Sequence, residues 1–92
     1  SETSIEDIGV ASLNIYPNPT DNILNIEFES VIENDFSLYF IDVLGQKIMI
    51  DRIEKFKGNY TYKLDLQRFS QGIYIFELRS GSEIYNKKVI KK

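Results

Sequence analysis

From Leu13 onward the chain is written in short runs of alternating apolar and polar residues, each closed by a cluster of turn-forming side chains. A period of two places successive side chains on opposite faces of an extended strand, a spacing that an α-helix cannot use. Residues 13–16 predict a short first strand. Pro17-Asn18-Pro19-Thr20-Asp21-Asn22 must end it, because two prolines fix φ and remove donors while Asn and Asp favour turns. In residues 23–28, Leu24, Ile26 and Phe28 face one side and Asn25 and Glu27 the other. Glu33-Asn34-Asp35 predicts a turn. Residues 36–43 are apolar on both faces, with Phe36, Leu38 and Phe40 opposite Tyr39, Ile41 and Val43, as a central strand requires.

Asp42-Val43-Leu44-Gly45-Gln46 suits a tight hairpin in which Gly45 supplies a positive φ. A strand over residues 46–53 follows, then a polar loop over 55–59. Tyr60, Tyr62, Leu64 and Leu66 next alternate with Thr61, Lys63 and Asp65. Residues 67–71 form a corner of at most one helical turn. A strand over 73–79, a Ser80-Gly81-Ser82 turn and a strand over 83–90 lead to Lys91-Lys92. About seven strands with this turn spacing predict an all-β antiparallel sandwich. Gly72-Ile73-Tyr74 falls where a tyrosine corner would sit. Residues 1–12, small, polar and acidic, read as the end of a linker, which leaves residues 13–92 as the domain.

Several chemistries lack their residues. The chain has no Cys and no His, so disulfides, thiolates and the usual nucleophile–base pairs cannot be built. Zinc would have to be held by carboxylates alone, and the five glycines are too scattered for a phosphate loop. Asp21 with Asn22, or Glu33, Asn34 and Asp35, lack the spacing of a calcium loop and suit turns better. No enzymatic activity, cofactor or metal is expected. Residues 1–46 hold nine acidic and no basic side chains, and residues 47–92 hold all eleven Lys and Arg with five acids. The asymmetry fits either two halves that attract when packed or a basic surface. Tyr85, Lys87, Lys88, Lys91 and Lys92 mix an aromatic with cations, but a sequence pI near 4.9 argues against nucleic acid as a partner. No segment is long and apolar enough to read as a transmembrane helix, and the first residues do not form a signal peptide.

Four elements, in this order, resemble the C-terminal sorting domains of the type IX secretion pathway of Gram-negative bacteria. Ile15-Tyr16-Pro17-Asn18-Pro19-Thr20 resembles the family's opening motif, and Asp42-Val43-Leu44-Gly45-Gln46 its central hairpin. Gly72-Ile73-Tyr74 resembles its glycine-x-tyrosine motif, and Lys87-Lys88-Val89-Ile90-Lys91-Lys92 its basic-apolar terminal strand. The resemblance covers residues 13–92. It implies a seven-stranded immunoglobulin-like sandwich that directs an attached N-terminal cargo from the periplasm across the outer membrane. The implied partners are the outer-membrane translocation machinery and a sortase-type surface protease. That protease removes the domain, and the cargo is released or joined to an anionic lipopolysaccharide.

Each motif also has a purely architectural reading. Pro17, Asn18 and Pro19 either form a recognition feature or hold the first corner rigid. Gly72 permits an unusual φ, and Tyr74 belongs to the core with its hydroxyl on nearby backbone. In the last strand, Val89 and Ile90 dock while Lys87, Lys88, Lys91 and Lys92 stay exposed, for recognition or to protect an edge from aggregation. The competing function is a carbohydrate-binding or adhesive module, for which Tyr39, Tyr60, Tyr62 and Tyr85 are the candidate platform. A structural spacer is the third reading.

Overall fold

The computed structural model describes residues 4–92. A short 3₁₀ turn, η1 (Ile5–Ile8), leads into five strands: β1 (Val10–Tyr16), β2 (Ile23–Ile41), β3 (Lys47–Asp65), β4 (Gly72–Ser80) and β5 (Glu83–Lys91). The five strands pair antiparallel, in the order β1-β2-β4-β5, with β3 also pairing to β2, and Thr20 adds an isolated parallel bridge to Lys91.

The alternation seen in the sequence sets which face each residue takes. Leu24, Ile26, Phe28, Phe36, Leu38 and Phe40 of β2 point into one core. They meet Tyr60, Tyr74, Phe76, Leu78 and Val89 from the later strands. Burying each such side chain contributes about 1.5–3 kcal/mol, upper figures that exclude the entropy lost on ordering. Phe28 lies 5.1 Å from Phe36 and 4.8 Å from Tyr60, centroid to centroid, so one aromatic cluster joins both halves of β2 to β3.

The expected seven strands correspond to five because β2 and β3 each run through two of the predicted runs. Residue Thr20, just before β2, bonds Ile90, which pairs with Ile73, while Ile75 pairs with Ile41 at the end of β2. Both ends of β2 therefore lie at the same end of the molecule, and the strand doubles back on itself. The register breaks between Ser30, Asn34 and Phe36 mark the reversal, and β3 follows it alongside, pairing Phe56 with Asn34. The turn predicted at Glu33-Asn34-Asp35 and the loop predicted at 55–59 are thus bent strand, kept in the ladder by their neighbours. Asp35 Oδ1 accepts from Lys55 N at 2.8 Å, and Lys55 takes φ +51° there.

Residues 5–12 also depart from the linker expectation. Ile8 and Val10 are buried, and Ile5 packs on the core, so the scattered apolar residues of this stretch belong to the fold. Residues 1–3 of the predicted linker lie outside the described residues. Residues 67–71 make a corner without a helix, closed by Phe69 N donating to Leu66 O at 2.9 Å.

Candidate functional site

The reversal of β2 gathers at one end of the molecule the segments that the sequence singles out. β1 runs into Pro17-Asn18-Pro19, with cis peptides before both prolines. This segment lies along the outer edge of β5. Asn18 Nδ2 donates to Lys88 O at 2.9 Å, and Ile90 N donates to Asn18 Oδ1 at 3.0 Å. A carboxamide carries the same donor and acceptor as a peptide group, so Asn18 replaces one rung of a neighbouring strand. Thr20 supplies the next rung with its backbone: Thr20 N donates to Ile90 O at 2.9 Å and Lys92 N to Thr20 O at 2.8 Å. Thr20 is fully buried, and its hydroxyl donates to Ile23 O at 2.6 Å.

An edge strand offers unpaired N–H and C=O groups to any passing chain. Between Lys88 and Lys92, those groups of β5 are taken. The side chains of β5 alternate across this paired backbone. Val89 is fully buried and Lys91 only 8% exposed, while Ile90 is 37% exposed. The expectation holds for Val89, which docks, and for Lys87, Lys88 and Lys92, which stay exposed, and is corrected for Ile90, which turns outward, and Lys91, which is buried. Period two puts 89 and 91 on the core face together and turns Lys88 and Ile90 outward. The Lys91 ammonium donates to Lys92 O at 2.9 Å. Lys87 is exposed, beside Leu13, Ile15 and Tyr85 in a shallow groove, and Lys92 approaches Asp21 at 4.0 Å.

Beside β5, Gly72 starts β4 at φ +153°, a conformation open to glycine and strained for other residues. Tyr74 then points inward, and its hydroxyl donates to Ser70 O at 2.5 Å across the corner. Its ring stacks on Phe40 at 4.8 Å and meets the edge of Phe69 at 5.8 Å. The Asp42–Gln46 hairpin is held by one carboxylate: Asp42 Oδ1 accepts from Leu44 N and Gln46 N, both at 2.9 Å, with Gly45 at φ +82°. Val43 and Leu44 stand 77% and 82% exposed at its tip.

Two features escaped the sequence reading. Thr20 appears only as part of a motif, with nothing in the alternation to mark it as buried. Glu77 is buried on the outer sheet face, bound by Lys47 at 3.3 Å and Arg79 at 3.2 Å, with the ring of Tyr39 beneath both cations. A lone acid within the apolar run of β4 was the available signal.

The candidate tyrosine platform is dispersed. Tyr39 lies under Lys47 and Arg79, Tyr60 is in the core with Tyr62 stacked beside it, and Tyr85 borders the β1 groove. Burial, then the Asp51 carboxylate that accepts from Tyr60 Oη at 2.7 Å, hold that hydroxyl well above the usual phenol range. Among the described residues, no cluster of three or more Asp and Glu could hold a metal ion.

The family model described as "Secretion system C-terminal sorting domain" matches residues 14–92, and no curated protein matches the sequence.

Proposed function

The chain belongs to the family of type IX secretion C-terminal sorting domains, so the protein that carries it is secreted across the outer membrane, and we propose that the motif end described above is what the translocation machinery reads. The observation that carries this reading is the Asn18 bridge, which makes Pro17-Asn18-Pro19 and Lys87–Lys92 one surface although 70 residues separate Asn18 from Lys88. A signal split in this way is complete only when the domain is folded. Gly72 and Tyr74 support it from beneath by fixing the start of β4, against which β5 is laid.

In this reading the domain is non-catalytic and travels through the periplasm on an N-terminal cargo. The two halves of β2 and of β3 act as separate strands, giving seven in an immunoglobulin-like sandwich. At the cell surface a sortase-type protease removes the domain. The cleavable linker ends ahead of η1 rather than at residue 12, because Ile8 and Val10 are packed in the core.

The test is a reporter with an ordinary export signal fused ahead of residues 1–92, in a host with a working type IX system. Surface delivery, lost on deletion of residues 87–92, is the expected result. Reporter held in the periplasm by a folded fusion would overturn the reading.

A further inference from the structure

The edge of β5 is closed by Asn18 and Thr20 from Lys88 to Lys92, so a partner cannot recognise this stretch by adding a strand to it. Val89 and Lys91 are buried and equally out of reach. What remains is the outward face, and there the sequence is unexpectedly apolar. Ile73 pairs with Ile90, and Ile41 with Ile75, whose other neighbour is Lys88. These four isoleucines form two adjoining rows on the outer face of β2, β4 and β5. Ile73 is 47% exposed. A sheet that carries apolar side chains on both faces is ordinarily covered on both. Here the inner face has the core, while on the outer one Ile73 and Ile90 are exposed and Ile41 and Ile75 half-buried.

The charges around the patch define what fits it. Lys47 and Lys88 stand at the two ends of the row of Ile41 and Ile75, Glu77 stands one row further along and Arg79 two, with Glu77 as the shared carboxylate of Lys47 and Arg79. Cations outnumber acids three to one among these four residues. A second copy laid face to face would oppose two cationic rims, which is unfavourable in a desolvated interface.

We propose that this isoleucine face docks onto the translocation machinery, on a protein surface with an apolar centre and an acidic rim. The inference rests on the sorting function and names the chemistry of its partner.

The test uses the reporter fusion with Ile73→Thr and Ile75→Thr together, a change that keeps β-branched side chains and strand propensity. Lys88→Glu is made separately, and each purified variant is checked for an unchanged urea midpoint. We expect surface delivery to fall at least tenfold for the double variant and several-fold for Lys88→Glu. A photoactivatable cross-linker at position 75 should capture an outer-membrane protein, and one at position 63 on β3 should not. Delivery at the unsubstituted level by the folded double variant, while deletion of residues 87–92 abolishes delivery, would overturn the docking face and leave the sorting function standing. An unsubstituted fusion that stays in the periplasm would remove both. Cross-links from position 75 only to a second copy, with a dimer in sedimentation that Ile75→Thr disperses, would overturn the choice of partner.

Discussion

Asn18 and Ile90 are joined by a hydrogen bond from the Ile90 amide to the Asn18 side-chain oxygen, at 3.0 Å and across 72 positions of sequence. The same side chain returns a bond to Lys88 O at 2.9 Å, so a single carboxamide closes a stretch of strand edge. A surface Asn between two prolines is thereby tied to the last strand.

Replacing it isolates that tie. Asn18→Ala removes two neutral hydrogen bonds at a site that water can partly reach, and should cost about 1–2 kcal/mol. A lower urea midpoint with an unchanged slope is expected, and hydrogen exchange at the Ile90 amide should accelerate. Asn18→Asp keeps the acceptor for Ile90 but loses the donor to Lys88 O, so it should retain Ile90 protection better than Ala does. Equal exchange at Ile90 in all three proteins would contradict the bridge.

Gly72 has φ +153°, and an added Cβ would meet no atom within 4 Å. Any penalty for Gly72→Ala is therefore backbone strain rather than crowding. A cost of about 1–3 kcal/mol is expected. Equilibrium unfolding should register that loss, and amide exchange over the start of β4 should rise with it. Stability equal to the unsubstituted chain would mean that the strand starts as easily without the special φ.

Tyr74→Phe tests the corner. The ring would keep its stack on Phe40, and the hydroxyl's bond to Ser70 O would be lost. Ser70 is exposed, so water can replace part of the bond, and the loss should be about 0.5–1.5 kcal/mol. Tyr74→Ala would add a cavity beside Phe40 and Phe69 and should cost about 3–5 kcal/mol, as large-to-small core changes do. Thermal melts of the two variants should separate hydroxyl from ring.

These residues show how much of the molecule was legible beforehand. Period-two alternation located the inward residues Leu24, Ile26, Phe28, Phe36, Leu38 and Phe40 of β2, because one face of the strand must be buried. Gly45, Gly72 and Tyr74 were legible for the same kind of reason: local backbone chemistry demands them. The turn at Glu33-Asn34-Asp35 was legible, but its continued pairing with β3 was not. Turn residues mark where a chain bends, but whether a bent segment keeps pairing depends on a neighbour bending with it, as β3 does. The outward turn of Ile90 and the burial of Lys91 were missed because chemical character was followed in place of register. The Asn18 bridge could not be read at all, since it depends on two distant segments being brought side by side.

Tyr60 supplies a pH-dependent prediction. Its hydroxyl is buried and bonded to Asp51, and both effects raise its pKa in the folded state above the usual value near 10. In the unfolded chain the phenol ionises from about pH 10, whereas the folded chain keeps its proton. The unfolded state then binds fewer protons, so stability falls as pH rises. The contribution is fully present below about pH 10 and is lost above it, with a slope of up to about 1.4 kcal/mol per pH unit. Tyr60→Phe keeps the stack on Phe28 but removes the hydroxyl that donates to Asp51 Oδ2. That variant should be less stable at neutral pH, with a shallower decline between pH 10 and 11. Urea midpoints across pH 8–11 measure both. Parallel declines in the two proteins would show that another group governs alkaline unfolding.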